Sequence, residues 1–272
     1  MKKTRLFLII FIILIMVFFF MIINKKTSKI ITTSSMLANA ETLSNKTIAW
    51  GVKREKNHVQ PDLGAKNLEI IKKYNGMAMG NSQDKYVYLT FDQGYEAGYT
   101  SKILEVLKDN NVKATFFITA HYLNTAEDLV KQMIDENHII GNHTCNHFSM
   151  PSIDDNKIKE ELQNLHTAVY EKTGYEMQYM RPPKGECSER TLAITESLGY
   201  KTVMWSLAYD DWDEGKQGRE EYGKQKIIEN IHPGAIILLH GNSKDNSNIL
   251  DECIKTIKNM GYEFKSLDEF VN

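Results

Sequence analysis

Tyr-Val-Tyr-Leu-Thr-Phe-Asp-Gln-Gly-Tyr-Glu, residues 86–96, sets the reading of this chain. Tyr86–Phe91 has the aromatic and apolar composition of a buried β-strand. The run ends on the carboxylate of Asp92, and Gly94 then breaks it. The same event recurs downstream. His138–Gly141 ends at His143 and His147, and Met177–Met180 leads into Arg181. Lys201–Ala208 precedes Asp211 and Trp212, and Gly234–Leu239 ends on His240. Reactive side chains at the ends of several strands can share one pocket, which points to an enzyme.

Helical patterns separate these strands. Thr100–Asp109 carries Ile103, Leu104 and Leu107 on one face, and Ala114–Thr119 is a further strand before a helix at Ala126–Glu136. Ile158, Leu162, Leu165 and Val169 mark the clearest helix, with Asp154 or Asp155 as its N-cap. Ser188–Leu198 is helical with Gly199 as its stop, and a last helix over Asn248–Asn259 precedes Tyr262–Lys265. Strands alternating with helices predict a parallel sheet with crossover connections. Six or seven strands with their reactive residues at C-terminal ends favour an irregular (β/α) barrel over an open doubly wound sheet. No Gly-x-Gly-x-x-Gly or Walker-type loop follows a strand, so no nucleotide site is signalled.

Residues 6–23 carry no polar side chain, and as a helix they would cover roughly 27 Å against the ~30 Å of a bilayer core. The expected organisation is therefore a basic flank at 1–5, an uncleaved transmembrane anchor at 6–23, a linker at 24–48 and a catalytic domain at 49–272. It makes the membrane a partner through the N-terminal helix and places the catalytic domain outside the cytoplasm. Secretion after cleavage near Ala38-Asn39-Ala40 is the competing reading. Beyond residue 29 the chain holds 27 basic against 35 acidic residues, a net −8 that gives nucleic acid no footprint. Cys145, Cys187 and Cys253 are an odd number without a Cys-x-x-Cys pair and imply no disulfide framework. Oligomeric state leaves no signal.

Hydrolysis of an amide needs an activated water, a polarised carbonyl and a proton for the departing amine. Asp92 can take the proton from water, with Arg181 keeping it ionised. His143 and His147 are four apart, so on one helical turn their imidazoles face one way and could bind a divalent ion such as zinc. His240 is suited to protonate the leaving nitrogen. Trp212 lines a sugar groove or fills core. His58, His121, His138, His166 and His232 have no partner pattern and read as structural.

Five blocks in order, Thr-Phe-Asp-x-Gly (90–94), His-Thr-x-x-His (143–147), Arg-Pro-Pro (181–183), Asp-Trp (211–212) and Leu-x-His (238–240), resemble the motifs of the polysaccharide deacetylases. This is the NodB-homology domain of carbohydrate esterase family 4. Gly94-Tyr95-Glu96, Arg-Pro-Pro-x-Gly-Glu (181–186) and the upstream Trp50-Gly51 are similar to its delta-lactam-biosynthetic branch. The resemblance implies peptidoglycan as partner and N-acetylmuramic acid as substrate, with Tyr95, Glu96, Pro183 and Trp212 contacting the glycan. It also implies a third metal ligand at position 93, where this chain has Gln93, a poor ligand for a divalent cation. The family's orienting aspartate for the acid histidine falls at Ala208, leaving Asp210 or Asp211 for that role. A deacetylase of another acetylated glycan and an inactive wall-binding module are the other readings.

Overall fold

The computed structural model describes residues 42–271. Seven strands run parallel in one sheet: β2 (Tyr86–Gln93), β3 (Ala114–Ile118), β4 (Ile139–Asn142), β5 (Tyr179–Met180), β7 (Lys201–Thr202), β8 (Ala235–His240) and β9 (Glu263–Phe264). Their order is β7-β5-β4-β3-β2-β8, with β9 also paired to β2. β1 (Ile48–Ala49) and β6 (Glu186–Cys187) form a separate antiparallel pair.

The expected barrel with a transmembrane helix before it is corrected on both counts. The sheet is a partly curled half-barrel: among the described residues the gap between its edge strands β7 and β8 is spanned by the isolated bridges Met77–Val203, Met79–Ala235 and Leu207–Ile237 and not by a continuous ladder. No helix among the described residues is long and apolar enough to cross a membrane. The segment assigned to an anchor at 6–23, and the cleavage pattern at 38–40, lie outside the described residues. Membrane partnership and membrane-anchored placement therefore have no support in the described structure.

Strand parity explains what fills the curl and what meets the cavity. Side chains alternate between sheet faces, and Tyr88, Phe117, Ile139, Tyr179 and Ile236 point inward to one buried cluster with Met77, Val203 and Leu267. Continuing each strand by two or four residues on the same face reaches Asp92, His143, Arg181 and His240. The opposite parity faces the helices, as Leu89, Ile237 and Leu239 do against Leu250 and Ile254. Both faces of β2 are thus buried, as a parallel sheet covered by crossover helices requires. Gly141 has no alternative inside the curl, since a Cβ there would lie 2.3 Å from the Phe117 ring.

Candidate active site

One cavity of about 500 Å³ opens at the C-terminal ends of the strands. Asp92, His143, His147 and His240 line it, with Arg181 directly beneath. Asp92 and His240 face each other as register partners on β2 and β8.

Asp92 is 7% exposed, and its Oδ1 accepts a hydrogen bond from Arg181 Nη1 at 2.8 Å. Arg181 is sealed from solvent, donates to the carbonyls of Val203 and Met204, and lays its guanidinium over the Phe117 ring at 4.3 Å. Burial pushes the Asp92 carboxyl up, but the charges of Arg181, His143 and His240 outweigh it and hold the group below its ordinary value. The site therefore presents a carboxylate.

His240 has the converse wiring. Its Nδ1 donates to Asp211 Oδ1 at 2.8 Å, while Asp211 Oδ2 accepts from the His240 amide at 2.7 Å and from Asn246 Nδ2 at 2.6 Å. Burial disfavours the imidazolium, but the Asp211 charge and hydrogen bond overcome it, so the pKa is raised. Asp211, only 2% exposed, thus orients His240. Asp210 instead engages Lys216, Arg219 and Tyr222. With Nδ1 committed to Asp211, Nε2 remains for a ligand.

His143 and His147 are adjacent, with ring centroids 4.8 Å apart, but not because they share a helical turn. The chain after β4 is an irregular loop with Thr144 and His147 at left-handed φ of 66° and 57°. Asn142 Oδ1 accepts from the Thr144 amide, Thr144 Oγ1 from the His147 amide, and buried Glu161 from both nitrogens of Asn146. His143 Nδ1 donates to the Arg181 carbonyl at 2.8 Å, which leaves Nε2 3.5 Å from Asp92 Oδ2. Burial lowers the His143 pKa despite the neighbouring carboxylate.

The donor set does not fit a divalent ion held by three protein side chains. Gln93, the expected third ligand, has the parity of the helix-facing side: its Nε2 reaches Thr100 Oγ1 at 3.4 Å, its amide packs against Gly241, and its Oε1 is buried without a partner. Among the described residues no group of three or more His, Cys, Asp or Glu could hold a metal.

Of the expected glycan contacts, Tyr95 and Trp212 line the cavity, Trp212 being 59% exposed. Glu96 does not. Its carboxylate accepts from the Gly98 and Thr100 amides and from the Tyr122 hydroxyl, holding the start of the helix Thr100–Asp109. Pro183 is buried in a turn whose next residues, Lys184 and Gly185, reach the wall instead. Sequence reasoning missed Lys184, Trp205, Tyr209 and Asn242 as lining residues. Lys184 stands inside the quoted Arg-Pro-Pro-x-Gly block, where its position was the only signal. None of the five histidines read as structural lines the cavity.

The fold and this site define a carbohydrate-modifying hydrolase. The polysaccharide deacetylase model matches residues 79–203, and the chain belongs to that family, hydrolases of the amide C–N bonds of acetylated sugars. It is 44% identical to the peptidoglycan-N-acetylmuramic acid deacetylase PdaA of Bacillus subtilis, over 86% of this chain and 89% of that protein. The solved structure of B. subtilis PdaA, a family 4 carbohydrate esterase, superposes with a TM-score of 0.81 over 84% of this chain and 98% of that one. A family 4 carbohydrate esterase from Bacillus anthracis is 42% identical, with a TM-score of 0.71 over 84% and 97% of the two chains. This protein is accordingly a polysaccharide deacetylase acting on an acetamido sugar.

Proposed function

We propose that this enzyme deacetylates N-acetylmuramic acid in peptidoglycan, freeing an amine that closes on the lactyl carboxyl as the muramic delta-lactam of spore cortex. Support comes from the likeness to the muramic acid deacetylase over nearly the whole of both chains. For the chemistry, the observation that carries the reading is the facing pair of Asp92 and His240, each backed by a buried partner of opposite charge.

Asp92, held ionised by Arg181, accepts a proton from water as the oxygen adds to the acetamide carbonyl carbon. His143 stands beside Asp92, and its Nε2 bounds the space for the attacking water. As the C–N bond breaks, the nitrogen takes a proton from His240 Nε2, and acetate and the free amine leave. Asp211 holds the imidazolium that donates it. Trp212 and Tyr95 supply apolar surface for the sugar ring.

Acetate release and product mass, measured on peptide-free muramic acid strands and on chitooligosaccharide with and without a chelator, test the reading. Preferential acetate release from the muramic strands, with a mass loss matching deacetylation and ring closure, is expected. Turnover of chitooligosaccharide alone would assign the site to another glycan.

A further inference from the structure

Charges on the cavity wall are matched within the protein, with one exception. Asp92 is neutralised by Arg181, and His240 is paired with Asp211. Lys184 lines the same cavity, is exposed, and makes no hydrogen bond or ion pair among the described residues. An ammonium without a partner in a cavity whose carboxylates are already paired sets the sign of the ligand it complements.

The backbone that carries this side chain is itself strained. Lys184 has φ 59° and ψ 8°, a left-handed conformation uncommon for a residue with a Cβ. The next residue keeps the turn shut. Gly185 also has a positive φ, and a Cβ on it would lie 2.5 Å from the Trp205 indole and 3.2 Å from Trp50 Cβ. Trp50 is pinned there by its amide to the Gly185 carbonyl and by its indole N–H to the Trp205 carbonyl. The strained lysine is therefore carried by a clamped turn, not by a loose loop.

Resting on the muramic acid reading above, we propose that Lys184 is the specificity-determining residue that binds the free lactyl carboxylate of the substrate sugar. That carboxylate hangs from the ring carbon next to the one bearing the acetamide. With the acetamide against Asp92 and His240, it falls on the wall beside the reacting bond. A polymer of N-acetylglucosamine has no such anion, and a muramic acid whose lactyl group is an amide offers no charge. An ammonium-to-carboxylate hydrogen bond is charge-assisted, and in a partly enclosed site its loss corresponds to roughly a 10–100-fold change.

The test uses the full-length protein on peptide-free glycan strands and on the same strands with their lactyl carboxylates converted to methylamides. Wild type is expected to prefer the free acid by roughly 10–100-fold in kcat/KM, chiefly through KM. Lys184→Met should collapse that preference and Lys184→Arg should keep most of it. Wild type without a preference, or Lys184→Met retaining the wild-type preference, overturns the proposal while leaving muramic deacetylation intact. Failure of wild type to release acetate from either strand overturns the muramic reading itself, and this proposal with it.

Discussion

At Asp92–Arg181 the cation is sealed and the anion meets the cavity, whereas at Asp211–His240 the anion is sealed and the cation meets the cavity. Side-chain exposure is 0% for Arg181 and 9% for Asp92, against 0% for Asp211 and 23% for His240. Each buried partner shifts the accessible one toward its charged form, down for the carboxyl and up for the imidazole. One fold therefore presents a proton acceptor and a proton donor across two hydrogen-bonded strands at the same pH. Their pKa values are driven apart, the arrangement that acid–base catalysis requires.

The largest effect should come from breaking the acceptor side. Asp92→Asn keeps the shape and removes the base, so kcat/KM for acetate release should fall roughly 10²–10⁴-fold. Because it leaves the sealed Arg181 cation without its counter-charge, it should also cost about 3–5 kcal/mol in denaturant unfolding. Undiminished turnover would remove Asp92 from the mechanism. Replacing its sealed partner should register first as stability. Arg181→Leu leaves a buried carboxylate uncompensated and should cost about 3–5 kcal/mol in denaturant unfolding. On the donor side, Asp211→Asn retains an acceptor for His240 but no charge, and a loss on the order of 10²-fold at neutral pH is expected from steady-state kinetics. The rim matters least. Trp212→Ala should raise KM about 3–10-fold with kcat nearly unchanged, the scale of one aromatic contact.

The contrast between the pairs was only partly legible in the sequence. Asp92, Arg181 and His240 stood out because each ends an apolar run, and β-strand parity carries that position into the cavity. The helix Asp155–Thr173 was equally readable: Ile158, Leu162, Leu165 and Val169 are all buried, and Asp154 caps it through the Lys157 amide. Two-residue strands such as β5 and β7 were not, because their pairing is set by the curl of the whole sheet and not by local pattern. Lys201–Ala208 read as one strand, yet only its first two residues join the ladder before the chain turns into the cavity wall. His143 and His147 are neighbours for a reason the sequence hid. Glu161 and two left-handed residues shape their loop, where spacing alone suggested a helical turn. Gln93 faces the helices by simple alternation from Asp92, a consequence that parity already contained. The choice of Asp211 over Asp210 depended on hydrogen bonds from β8 and Asn246 that no linear spacing encodes.

The pH dependence of kcat/KM for wild type and Asp211→Asn tests the opposed wiring most directly. Acetate release requires ionised Asp92, so the acid limb should lie below the usual carboxylate range in both proteins. It also requires protonated His240, whose pKa is raised above the ordinary imidazole value of 6.5, so wild-type activity should persist above pH 6.5 and fall only as pH rises through the raised pKa. In Asp211→Asn the largest raising charge is gone while burial still disfavours the imidazolium, so the alkaline limb should move to lower pH while the acid limb stays in place. Superimposable alkaline limbs in the two proteins would contradict the account.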